Sequence, residues 1–187
     1  MERTVEISTL GRCAVDGVDV QSRRAVELAA LLALSGGRAQ RDWLMMNLFE
    51  GDPAPSSLPT LALRARKVGL PVRYDRFRGF YWLEDGARCD VVDVLDLLKE
   101  KRTEEAMDRY TGPFLPSSHS PFATETRASV ENAIVQAVLE RSDIDLMARA
   151  DRVVKHPELS EELVRRGADA ATVSLSRSWL SALGAAG

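Results

Sequence analysis

Histidine and cysteine are scarce: the 187 residues contain two of each. His119 lies in a Pro/Ser-rich stretch and His156 precedes Pro157. Neither has a Cys, Asp or Glu at metal-ligand spacing, so no metal site is predicted. Cys13 and Cys89 are far apart and read as reduced thiols of a cytoplasmic protein. Asp143, Asp145 and Asp151 read as helix caps and solvated faces, not as a carboxylate cluster. The chain has no P-loop, no dinucleotide fingerprint and no nucleophile turn. These absences together predict no enzymatic activity and no cofactor. No apolar run approaches the roughly 18 residues that span a bilayer, the longest being Leu28 to Leu34. The start Met1-Glu2-Arg3-Thr4-Val5-Glu6 lacks the cationic-then-apolar order of a secretory leader. No membrane association is expected.

What is present is an ordinary globular composition, 45% hydrophobic and 28% charged, with a formal charge of −3. The distribution of charge says more than its sum. Residues 1–85 hold 12 basic and 11 acidic side chains, and residues 86–187 hold 13 and 17. Between residues 60 and 83, Arg64, Arg66, Lys67, Arg73, Arg76 and Arg78 face a single acid, Asp75. Positive potential is concentrated in that segment.

Val5, Ile7 and Thr9 alternate as a strand does, and Val18 and Val20 resume the period after the turn signal Asp16-Gly17. Two or three short antiparallel strands are predicted. Ser22 is expected to cap a helix to about Ser35, ended by Gly36-Gly37. Asp42 is expected to cap a second helix. Its Trp43 should join the core with Leu44, Met46, Leu48 and Phe49, as should Tyr81 and Trp82. A third helix is predicted from about Ser56 to Val68. At 100° per residue, Leu58, Leu61, Ala62, Ala65 and Val68 form one stripe, while Ser56, Thr60, Leu63 and Lys67 lie opposite, flanked by Arg64 and Arg66. Two strands, Val72 to Tyr74 and Phe80 to Leu83, should follow as a hairpin whose tip carries Arg76 and Arg78.

Gly86 and Asp90 read as a break before a helical remainder. Asp90 and Thr103 are expected caps of two helices, Ser120-Pro121 of a longer one to about Glu140, and Asp143 of another, with a further start at Pro157. The tail from Asp169 is rich in Ala and Ser. The expected fold is α+β, with small antiparallel sheets and three helices in residues 1–86 and an all-α unit in residues 87–187.

The order of elements in the first 85 residues resembles the OmpR-type winged helix. The closer resemblance is to the antibiotic-regulatory (SARP-type) transcriptional activators, whose winged helix precedes a tetratricopeptide-like bacterial transcriptional activation domain. Leu10-Gly11 after the first strand and Arg24 entering the leucine-rich helix carry it. So do Asp42-Trp43-Leu44 through Leu48-Phe49-Glu50-Gly51-Asp52-Pro53, Arg64-Ala65-Arg66-Lys67, and Gly79-Phe80-Tyr81-Trp82-Leu83. In the second half, Asp90-Val91, the run Tyr110 to Pro116, Pro121-Phe122 and Glu125-Thr126-Arg127 continue it. The similarity spans about residues 4–141.

The resemblance implies a cytoplasmic transcription regulator. The residues support double-stranded DNA as its partner on their own account. A helix fits the major groove, and Thr60, Arg64, Arg66 and Lys67 are spaced to reach bases or phosphates. Arg73, Arg76 and Arg78 would lie along backbone or minor groove. Arg24 and Arg41, with Arg23, sit at helix starts suited to phosphate contact. A single such unit makes few base contacts, so a second copy of the chain is expected on DNA. The helical half would contact that copy, RNA polymerase or another regulator. An alternative follows from Pro59 in the third helix, Leu63 on its outer face and the acidic balance. In it the unit is a protein-interaction module without specific DNA readout.

Overall fold

A computed structural model describes residues 4–185. Met1 to Arg3, part of the stretch that argued against a leader, and the last two residues lie outside the described residues. The chain is a mixed α+β protein with two small sheets and a helical C-terminal region.

Strand β1 (Val5–Ser8) buries Val5 and Ile7 and leaves Glu6 in solvent, as its alternation requires. It pairs with β2 (Ala14–Val15), which turns through Asp16-Gly17 into β3 (Val18–Asp19). Helix α1 (Arg23–Leu34) is buried from Ala25 to Leu32, including the carboxylate of Glu27. Its first turn has no side-chain cap; Ser22 contributes only its carbonyl, which accepts from Ala25 and Val26.

Gly36 and Gly37 have φ of 75° and 87°, a left-handed turn open to glycine without strain. They direct the chain into β4 (Arg38–Gln40), a strand with no apolar signature that the sequence did not reveal. Helix α2 (Arg41–Leu48) leaves β4 directly. Gln40, not Asp42, is its cap residue, and the Asp42 carboxylate instead meets Arg41. Helix α3 (Ser57–Lys67) buries Leu58, Leu61, Ala62 and Ala65 on the predicted stripe. Leu58 and Leu61 contribute roughly 2 kcal/mol each by leaving water. Pro59 is in the first turn, where its missing N–H has no intrahelical partner to lose.

Strands β5 (Val72–Asp75) and β6 (Phe80–Leu83) form the predicted hairpin, and β4 joins β6 to give the order β4-β6-β5. Tyr81 is buried against Tyr74, ring centroids 4.4 Å apart. Trp43 and Trp82 do not follow it inward. On α2 the core positions are taken by Leu44 and Leu48, leaving Trp43 42% exposed. On β6 the period of two sends Trp82, half-buried, to the face opposite Tyr81, where it packs edge-on against Phe80. Met46, also expected inside, is exposed.

The segment after Gly86 is β7 (Ala87–Cys89), which pairs parallel with β1 and completes the order β3-β2-β1-β7. Helices α4 (Asp90–Lys99), α5 (Thr103–Arg109), α6 (Pro121–Arg141), α7 (Ile144–Val153), α8 (Pro157–Arg166) and α9 (Ala170–Ala185) follow. Ser120 caps α6 by accepting from the Ala123 N–H at 3.1 Å, and Asp143 caps α7 by accepting from Leu146 at 3.0 Å. Thr103 is the first residue of α5 rather than its cap and is buried. The Ala/Ser-rich tail is helical.

Asp90 opens α4 as its first residue, with Cys89 in the cap position. Its carboxylate reaches across to the end of β1. It accepts from the Thr9 N–H at 2.9 Å, the Leu10 N–H at 3.1 Å and the Thr9 hydroxyl at 2.5 Å. The α5–α6 loop closes on the same place. Leu115 N–H donates to the Thr9 carbonyl, Gly11 N–H to Pro113, and the Thr111 hydroxyl to the Leu10 carbonyl. Gly11 and Gly112 are needed for this approach. A Cβ on either would lie 2.9 Å from the other segment's backbone. Arg127 then fixes the loop by donating to the carbonyls of Phe114, Leu115 and Ser118. Buried Glu27 accepts from Arg24, Ser118 and Ser120, joining α1 to the same loop. One continuous hydrophobic cluster runs from Val5 to Leu163.

Candidate nucleic-acid interface

Thr60, Leu63, Arg64 and Lys67 are all exposed, at intervals of three and four residues along α3. That spacing makes them one stripe, opposite the buried one. The basic residues fall in the last turn, where they complement the carbonyl end of the helix dipole. Among the described residues neither Arg64 nor Lys67 has a side-chain partner, so both cations are available. Leu63 is 47% exposed in the middle of the stripe.

The other predicted residues divide into free and engaged. At the β5–β6 tip the Asp75 carboxylate accepts from the Phe77 and Arg78 N–H groups, which folds the turn and turns the side chains outward. Arg78 is exposed without a partner among the described residues, and Arg76 lies over the ring of Phe77, 4.8 Å from its centroid. Phe77 itself is 85% exposed. Arg66 donates to the Val72 carbonyl and so ties α3 to β5. Arg73 pairs with Glu84 at 2.7 Å. Arg41 donates to Asp42 and to the Pro55 carbonyl, holding the start of α2 to the segment before α3. Arg24 is the most committed. Its guanidinium binds Glu27 and the Leu48 carbonyl and lies over Phe49.

Thus the structure gathers Thr60, Arg64 and Lys67 on one helix face and sets Arg76 and Arg78 at a hairpin tip. Arg66 and Arg73 lie on the connecting surface, bonded to their own chain. Burial, reinforced by the neighbouring Tyr74, raises the Tyr81 phenol above its ordinary value. Arg38 was missed by the sequence reading. It is exposed on β4 with no partner among the described residues, and no periodicity marks it.

Among the described residues, no three His, Cys, Asp or Glu side chains converge to hold a metal ion, and no helix is long and apolar enough to cross a membrane. No model of a known protein family and no curated protein matches the chain.

Proposed function

We propose that the chain is a cytoplasmic, non-enzymatic DNA-binding transcription regulator of the SARP type. In this reading residues 1–86 are an OmpR-type winged helix with its extra N-terminal sheet. Helix α3 enters the major groove of duplex DNA and the β5–β6 hairpin lies on the flanking backbone or minor groove. The helical half is a tetratricopeptide-like partner domain that meets a second copy of the chain, RNA polymerase or another regulator. The observation that carries the reading is the stripe of Thr60, Arg64 and Lys67, exposed and unpaired among the described residues, on a helix whose opposite face buries Leu58, Leu61, Ala62 and Ala65. Arg24 and Arg41 act here by placing α1, α2 and α3 relative to one another.

The test is a fluorescence anisotropy titration of mixed duplex DNA at two salt concentrations. Each phosphate neutralised contributes about −0.9 to the slope of log affinity against log salt. Engagement of Arg64, Lys67, Arg76 and Arg78 therefore gives roughly −3.6, a loss of roughly 150-fold between about 50 and 200 mM salt. Arg64→Ala or Lys67→Ala weakens binding by about 1–3 kcal/mol where the residue reads a base. Arg76→Ala with Arg78→Ala lowers the slope without changing sequence preference. No binding at about 50 mM salt refutes the reading, since phosphate contacts are strongest there.

The exposed Leu63 favours a second reading, a protein-interaction module that has lost specific DNA readout. Leu63→Ser separates the two. It leaves DNA affinity nearly intact in the first and abolishes partner binding in the second.

A further inference from the structure

We propose that the open edge of β4, with the apolar groove beside it, docks an extended peptide segment of a protein partner. That segment carries an acidic residue two positions from a bulky apolar one, so that both face the same side. In the order β4-β6-β5, strand β4 is an edge. Leu83 N–H donates to the Gly37 carbonyl and Arg41 N–H to the Gly79 carbonyl, and Ala39 lies opposite Tyr81. Alternation along an antiparallel ladder then turns the N–H and C=O of Arg38, and the N–H of Gln40, away from β6. Natural sheets blunt or cover such edges.

Beside this edge is a groove of about 510 Å³ lined by Ser35, Arg38, Ala39, Gln40, Trp43 and Phe80. The size suits one or two large side chains. Trp43 is left substantially in water, and the Phe80 ring is held in place by Trp82 at 5.7 Å. The charge at the rim is positive. Arg38 is exposed and unpaired among the described residues. No carboxylate lines the groove. Asp75, opposite Phe80, is occupied by the Phe77 and Arg78 N–H groups, and Asp42, beside Trp43, is paired with Arg41.

An extended peptide satisfies all three features together. Its backbone pairs with both the donors and the acceptor of β4, its apolar side chain fills the groove, and its carboxylate meets Arg38. A phosphate backbone would use the donors alone and gain nothing from an apolar floor. The inference is independent of whether α3 reads DNA.

The experiment uses the full chain and a fluorescent octapeptide with threonine at every second position and glutamate and phenylalanine taking turns at the positions between, so that one face carries both. Saturable binding is expected, with NMR shifts confined to the Arg38–Gln40 amides and the Trp43 indole. Trp43→Ala and Arg38→Glu should each weaken it at least tenfold, as should N-methylating the peptide or replacing its glutamates by lysine. Arg38→Glu changes an exposed side chain, and circular dichroism verifies that both variants remain folded. Three results would each overturn the proposal. One is no saturation by about 1 mM peptide, a binding free energy weaker than about 4 kcal/mol. Another is affinity indifferent to Arg38→Glu. The third is a duplex oligonucleotide that shifts the same residues more tightly than the peptide does.

Discussion

Replacing Asp90 by alanine removes the acceptor for three donors at the end of β1. Thr9 is 0% and Leu10 1% exposed, so the donors depend on this carboxylate, and replacement water would have to enter from the open cavity beside Asp90. A buried donor left without a partner costs about 1–3 kcal/mol. For the Thr9 N–H, the Leu10 N–H and the Thr9 hydroxyl together, a loss of about 4–6 kcal/mol is expected, allowing for partial relaxation. The carboxylate also sits in the first turn of α4, worth about 0.5 kcal/mol more through the helix dipole. Domains of this kind are stable by about 5–15 kcal/mol, so the variant should be close to unfolding. Urea titration followed by circular dichroism measures it. With a slope of about 2 kcal/mol/M, the midpoint falls by roughly 2–3 M. Asp90→Asn, which keeps one acceptor but turns an amide N–H₂ toward other donors, should lie between wild type and Asp90→Ala. Thr9→Val, which removes only the hydroxyl, should cost about 1 kcal/mol. An Asp90→Ala protein within about 1 kcal/mol of wild type would refute the reasoning, because that is the worth of one ordinary hydrogen bond.

Glu131 is half-buried, and burial holds its carboxyl above the ordinary value of 4.5, partly offset by Arg127 and His156. A folded-state pKa above the unfolded one means stability is fully present below pH 4.5 and is lost as pH rises through the folded value. Glu131→Gln should therefore raise the Tm at pH 7 and leave it nearly unchanged at pH 4; a lowered Tm at pH 7 would reverse the assignment. Burial, then the charge of Asp90, pushes the Cys89 thiol up to about 12, and burial raises Cys13. With a thiol-specific reagent at pH 8, Cys13 should react first and Cys89 only on unfolding, whereas rapid labelling of Cys89 in the native protein would contradict its burial. Gly11→Ala combines a φ of 72° with a Cβ 2.9 Å from the Thr111 carbonyl oxygen. It should cost about 2–4 kcal/mol in the same urea assay, and a neutral effect would mean the α5–α6 loop is free to move.

The elements legible in the sequence are those with a local cause. The Asp16-Gly17 turn, the stripe of α3, the β5–β6 hairpin and the caps at Ser120 and Asp143 follow from residue type and period. Strands β4 and β7 do not. Each is three residues long, and Arg38-Ala39-Gln40 has no alternation to detect. Both exist because a distant strand, β6 or β1, offers its edge. The same long-range logic explains Asp90, whose capping chemistry was visible but whose targets lie some 80 residues earlier in the chain. Glu27 gave no sign of burial, since its partners Ser118 and Ser120 are remote. At the candidate interface, the exposure of Thr60, Arg64 and Lys67 could be read from the helical period. The internal engagement of Arg24 and Arg73 could not, because Leu48 and Glu84 meet them only after folding.

The closure of β1 by later parts of the chain sets an order for synthesis. Val5 to Ser8 leave the ribosome well before their neighbour β7 and before the donors and acceptors of residues 111–127. At about 5–20 residues per second, roughly 6–24 s separate Ser8 from Arg127. Until Asp90 emerges, roughly 4–16 s after Ser8, the nascent chain presents one unpaired strand edge and the amides of Thr9 and Leu10 without their carboxylate. This is a period in which a ribosome-associated chaperone or a neighbouring nascent chain can compete for the strand. Synonymous changes that slow translation between residues 10 and 90 would lengthen it without altering a single contact of the finished protein.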